Sequence, residues 1–163
     1  MSDESKFKLL TAFKYMNQKI DMKDFNGRLV FQKKTYLLQE MGLHFGNTYG
    51  WYLYGPYSRD VTSEGFQLAP IQDYVNDLVP LSKSEKNQIE RLGELISEAK
   101  KTFSKADDEY CLELLASLHF VIKHGYPRPK SGSSALKQFS LLKPKFSSDA
   151  KKAFELLGKY CLV

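Results

Sequence analysis

The chain has 163 residues, 42% of them hydrophobic and 26% charged, with a formal net charge of +5. That length fits one domain with a sizeable core, and the composition excludes disordered, collagenous and disulfide-stapled classes. No apolar run approaches the length that spans a bilayer, and the opening MSDESKFK is too polar for a signal peptide. The ending KYCLV places Cys161 one position away from a prenylation box. Cys111 and Cys161 read as small buried hydrophobes in a reducing compartment, so the expectation is a cytoplasmic protein with no membrane partner.

Taken in chain order, residues 4–20 carry Phe7, Leu10, Phe13, Met16 or Asn17, and Ile20 at helical spacing, with Ser2 or Asp3 as the cap. A break at 21–25 leads through Asn26-Gly27 to a helix from about Arg28 to Met41, stopped by Gly42. Its apolar residues cover much of the circumference, which predicts a central helix with Lys33-Lys34 on the wettest face.

Residues 45–60, FGNTYGWYLYGPYSRD, organise the chain. Alternation predicts a strand with Tyr49, Trp51 and Leu53 on one face and Tyr52 and Tyr54 on the other. Gly55-Pro56 predicts a tight corner, and Ser58 the N-cap of a new helix. Two readings of these rings stay open. Either both faces are packed as core, or one face is a platform for a partner.

A short helix over about 59–66 turns Val61 and Phe66 inward. A second stripe over 71–79 uses Ile71, Tyr74, Val75, Leu78 and Val79, ended by Pro80. Ser82 and Glu85 form a capping box before the amphipathic run Ile89, Leu92, Ile96, Ala99 and Phe103. Asp107-Asp108-Glu109 opens a helix holding Cys111, Leu112, Leu114, Leu115, Leu118, Val121 and Ile122, closed at Gly125. Residues 125–134, GYPRPKSGSS, read as a mobile surface loop inside a single domain spanning 1–163. A short helix over 135–142, a break at Lys143-Pro144, and a last helix capped by Ser147 or Ser148 complete the chain. The last helix buries Ala150, Ala153, Phe154, Leu157 and Cys161. The fold class is mainly α (α+β): a compact helical domain of about seven helices with a small strand or hairpin element, winged-helix-like.

Charge is uneven. Residues 123–163 hold nine basic against two acidic residues, a net of +7, whereas residues 1–122 hold fifteen against seventeen, a net of −2. Such a tail suits a polyanion or an acidic partner, or is simply a solvated lysine face.

Catalytic sets are not apparent. His119 and His124 lie five apart, on nearly opposite faces of a helix, and do not chelate as an i, i+4 pair would. Cys111 and His119 on an apolar stripe read as core before they read as a nucleophilic dyad. No phosphate-loop, dinucleotide or nucleophile-elbow motif occurs, and contiguous acids at a helix start are capping. No enzyme activity, cofactor or metal is expected.

KTYLLQEMG (34–42), WYLYGPYSRDV (51–61) and CLELLASLHFVI (111–122), with the Lys143-Pro144-x-Phe146 turn, carry a family resemblance. Together they resemble the YwgA-like branch of phage-associated bacterial and archaeal proteins, which look related to the Panacea domain of SocA-type antitoxins. The resemblance implies a mainly helical domain with a small β element, acting as a protein-binding module in toxin neutralisation or phage defence. It carries over no catalytic residues.

Two functions follow. In the first, Trp51, Tyr52, Tyr54 and Tyr57, with Arg59 beside them, anchor another protein such as a toxin or defence component; a homo-oligomer is the other protein partner left open. In the second, a winged-helix-like nucleic-acid binder neutralises phosphates with Lys123, Arg128, Lys130, Lys137, Lys143 and Lys145.

Overall fold

A computed structural model describes residues 3–75, 79–103 and 106–163. Among these residues the chain is mainly helical, with seven α-helices and one two-stranded antiparallel hairpin. It divides into two compact units. The first comprises Met1–Gly50 with Tyr57–Gly93, and the second Trp51–Pro56 with Glu94–Val163.

The first unit holds α1 (Asp3–Tyr15), α2 (Phe25–Glu40), α3 (Arg59–Leu68) and the N-terminal half of α4 (Lys83–Thr102). α1 stops short of residue 20 because Asn17 adopts φ 55° and the Gln18 N–H caps the Phe13 carbonyl at 3.0 Å. α2 starts before Arg28 because the Asp24 carboxylate accepts the Gly27 N–H at 2.7 Å. It ends where expected, with Gly42 at φ 111°. α3 packs on both α1 and α2, and the rings of Phe13 and Phe31 meet at 5.2 Å. Every residue of α2 from Phe31 to Leu38 is buried, Lys33 and Lys34 included. The expected wet face is therefore absent. Lysine stems pack like hydrocarbon, and the Lys34 ammonium reaches the Gln18 side-chain oxygen.

Ser58 caps α3 as expected, accepting from the Val61 N–H at 3.4 Å; of the two residues expected inward Val61 is buried and Phe66 is exposed, and Leu68 takes the inward place one turn on from Glu64. Of the expected stripe over 71–79, residues 71–75 are not helical. Ile71 and Tyr74 are exposed in turns, and Leu78 lies outside the described residues, as does Ser2. The Gln72 amide ties that segment down instead, accepting from the Ile20 N–H at 2.8 Å and donating to the Ile20 carbonyl at 2.9 Å. The Ser82–Glu85 capping box forms in both directions, at 2.9 and 3.0 Å.

The second unit is built around α5 (Asp108–His124), buried continuously from Cys111 to Val121 and packed on α6 (Gly132–Leu142) and α7 (Ala150–Lys159). Asp107 caps α5, accepting the Tyr110 N–H at 2.8 Å. Leu95 and Ala99 of α4 are fully buried, and Ile96 is only half-buried. α6 begins earlier than residue 135, because Ser131 and Ser134 form a capping box that draws Gly132 into the helix. A 3₁₀ turn, Pro144–Phe146, follows α6, and Phe146 stacks on Phe139 at 6.0 Å. α7 buries Ala150, Ala153, Leu156 and Leu157, while Phe154 is half-buried. Its N-cap is Asp149 rather than Ser147 or Ser148. Cys161 is exposed, contrary to expectation. It takes the left-handed position after the helix, φ 58°, while the Leu162 N–H bonds the Leu157 carbonyl at 2.9 Å and Leu162 is buried in its place.

Candidate functional site

The aromatic stretch folds as a hairpin of β1 (Gly50–Tyr52) and β2 (Gly55–Tyr57), so the chain reverses at Leu53-Tyr54, before the Gly55-Pro56 corner expected from the sequence. Gly55 still makes the reversal work. Its φ of 95° is closed to most side chains, and such a residue commonly follows a tight hairpin turn. Gly55 also comes against α5, where a Cβ would stand 2.1 Å from Ser117 Oγ and 3.1 Å from Ser117 Cβ. Gly55→Ala should therefore cost about 2 kcal/mol, from left-handed strain plus overpacking. Adding Ser117→Gly should return only the steric share. Urea unfolding followed by circular dichroism measures both, and a neutral Gly55→Ala would rule the contact out.

The side chains of the reversal face solvent. Trp51 is 37% exposed, Tyr52 60%, Leu53 70% and Tyr54 42%. Trp51 is only half free, because its ring rests on Phe120 of α5 at 5.8 Å, and Phe120 in turn meets His124 at 5.3 Å. The alternative in which both faces of the segment are packed does not describe Tyr52 or Leu53.

A buried ion pair pins this tip. Lys143, at the C-terminal end of α6, donates from Nζ to the Leu53 carbonyl at 2.6 Å and to Glu113 Oε1 at 3.1 Å. The same ammonium lies 5.7 Å from the Trp51 ring centre and 5.8 Å from that of Tyr54. Glu113 is a lone acid within the apolar run of α5 and is buried, as is Lys143. Its second oxygen, Oε2, accepts from Lys145 Nζ at 2.8 Å. Two cations thus share one carboxylate beneath the reversal, and the turn backbone is held by a charge-assisted bond rather than by strand pairing alone.

Of the residues singled out from the sequence, Trp51, Tyr52 and Tyr54 come together here. Tyr57 is half-buried and belongs to the first unit, where its hydroxyl accepts from Thr62 Oγ1 at 3.0 Å; Arg59 is exposed at the start of α3. Among the basic candidates, Arg128, Lys130 and Lys137 are exposed and Lys123 is half-buried. Lys143 is not a surface phosphate contact, since its ammonium is committed to Glu113 and Leu53, and Lys145 is half-exposed. Sequence reasoning missed Leu53, Leu141, Leu142 and Glu113. Leu141 and Leu142, directly before Lys143, are exposed at the end of α6. The signal for Glu113 was in view: a single acid interrupting CLELLASLHF.

His119 and His124 are neighbours rather than on opposed faces, with ring centres 6.5 Å apart. Burial, the nearby His124 and the Lys123 charge hold His119 down at about 4. Burial pushes the Cys111 thiol up to about 11, so at neutral pH it is a protonated, apolar-packing group. An open depression of about 460 Å³ lies in the same unit near Phe103, Tyr110 and Lys152. Its acids are engaged, because Asp149 Oδ2 accepts the Tyr110 hydroxyl at 2.5 Å and Asp107 caps α5. Among the described residues no group of three His, Cys, Asp or Glu side chains is placed to hold a metal, and no helix is long and apolar enough to cross a membrane.

No protein-family model, no curated protein and no solved structure matches the chain.

In the first unit, two glutamines of α2 fix the backbone of the segment's ends. Gln39 exchanges bonds of 2.8 and 3.0 Å with the Asn47 carbonyl and N–H, and Gln32 exchanges bonds of 2.7 and 3.2 Å with those of Ser58. In the same unit, the side-chain amide of Asn47, the Tyr49 hydroxyl and Glu64 Oε2 are buried without well-formed hydrogen bonds. Burial, reinforced by Asp60, raises Glu64 to about 7.

Proposed function

We propose that the chain is a non-enzymatic protein-binding module whose contact surface is the hairpin reversal, with Tyr52 and Leu53 as the outermost anchors and Trp51 and Tyr54 at their base. The observation that carries this is the exposure of Tyr52 and Leu53 on a turn whose backbone is pinned by a buried ion pair. Apolar and aromatic side chains held outward on a rigid base lose little entropy on binding, which is what an interface anchor needs. An antitoxin-like or phage-defence role, with a toxin or other defence component as the partner, is the setting the family resemblance suggests. The nucleic-acid reading has less in its favour, because Lys143 is engaged, Lys145 shares Glu113 and Lys123 is half-buried, leaving Arg128, Lys130 and Lys137.

Affinity capture from the producing cells tests the first reading. Wild type should retain one protein in near-stoichiometric amount, and Tyr52→Ala with Leu53→Asp should lose it while unfolding at an unchanged temperature. Capture indifferent to those substitutions would end this proposal. The nucleic-acid reading requires mixed-sequence DNA to bind with an affinity that falls steeply as salt rises. A flat response excludes it.

A further inference from the structure

We propose that the partner segment received by the hairpin carries a carboxylate next to its apolar anchor, and that Lys145 is the cation that meets it. This rests on the protein-binding reading and adds the chemistry of the partner.

Lys143 and Lys145 divide one carboxylate between them, Glu113 taking 3.1 Å and 2.8 Å contacts on its two oxygens, so the foot of the hairpin keeps one positive charge in excess. The two lysines are not equivalent. Lys143 is buried, with the Leu53 carbonyl as well as Glu113 and two rings around it. Lys145 has a side chain 54% exposed, with Glu113 on one side and the Phe146 ring 4.7 Å away. An ammonium has three donors, and only one of those on Lys145 is directed at Glu113, so it can accept a further anion without giving up the first.

The neighbouring surface decides which anion. Leu53, Leu141 and Leu142 are exposed apolar groups in the same unit, the last two leading directly into Lys143. Apolar side chains of a protein fit there, whereas a sugar–phosphate backbone would leave them uncovered and would call for an array of cations or an arginine fork. The excess of basic over acidic residues across 123–163 also draws acidic segments in over longer range.

A displayed library of random peptides, selected on the full chain, is the probe. Peptides enriched on wild type should carry Asp or Glu within one or two positions of an aromatic or aliphatic residue. A synthetic copy of the best should lose about 5–10-fold in affinity on Lys145→Gln, in the range of a half-exposed interfacial charge pair. Lys145→Glu should shift selection toward Lys- or Arg-bearing peptides. Both variants keep Glu113 paired with Lys143, and their unfolding temperatures verify that the fold is retained. If the selected peptides depend on Leu53 (lost with Leu53→Asp) yet show no acid enrichment and no loss on Lys145→Gln, the carboxylate inference is wrong and the protein-binding reading stands. If no peptide is enriched, or binding ignores Leu53→Asp, both fall together.

Discussion

Glu113→Ala lowers the stability of the fold by about 3–5 kcal/mol, the cost of leaving a buried charge without its counter-ion. The ammonium of Lys143 is then left with a backbone carbonyl and two ring faces, in a site from which water is largely shut out. Lys143→Met costs less, because Glu113 retains Lys145 and methionine fills the space of the lysine stem. Glu113→Leu combined with Lys143→Met regains most of the loss, since an apolar pair of similar volume commonly matches a buried ion pair. Urea unfolding midpoints of the four proteins provide the test. Losses below about 1 kcal/mol for both single variants would mean that the pair is solvated and the hairpin pinned by something else. The double variant separates stability from function: it should be well folded, yet bind peptide less tightly, because the Leu53 carbonyl has lost its tether.

The second large effect is on pH dependence, and it has two parts of opposite sign. His119 titrates at about 4 in the folded chain against an ordinary 6.5. The unfolded state therefore binds more protons between those values, and stability falls as the pH drops from 6.5 to 4, by up to about 3 kcal/mol. Glu64 is displaced the other way, to about 7 from an ordinary 4.5. Here the folded state binds more protons, so stability falls as the pH rises from 4.5 to 7, by roughly 2–3 kcal/mol. Summed over global unfolding, the two contributions oppose each other between pH 4.5 and 6.5. Each single variant exposes the other group. Glu64→Gln should become more stable as the pH rises from 4 toward 6.5, and His119→Leu less stable from 4.5 toward 7. Slopes of the same sign in both variants would contradict the assignment.

Local chemistry made much of the fold legible. Gly42 after α2, Ser58 before α3, the Ser82–Glu85 box and the Asp107 cap all rest on interactions spanning a few residues, and each stands where the sequence placed it. The hairpin was harder to see because its turn is Leu53-Tyr54, which lacks the Gly, Asn or Pro that usually marks a reversal. Two short aromatic strands in register with alternation then resemble one longer strand. Lys33 and Lys34 misled for a different reason: charge patterning treats lysine as polar, whereas its stem packs as hydrocarbon on a helix touched all round. The segment over 71–74 carries a helical pattern that the Gln72–Ile20 bonds override. As for the site, ring type alone points to the exposed aromatics, whereas Glu113 and Lys143 lie thirty positions apart and their pairing belongs to tertiary structure. Without it, a basic tail looks like a set of equivalent phosphate contacts rather than one buried tether and one half-exposed lysine that shares its carboxylate.

Trp51 is the chain's single tryptophan, and it sits at the base of the hairpin, against Phe120 and beneath an ammonium. Its indole emission therefore originates from the proposed contact surface. A ligand that covers the hairpin should blue-shift that emission and shield it from iodide, giving an optical titration of occupancy that needs no label.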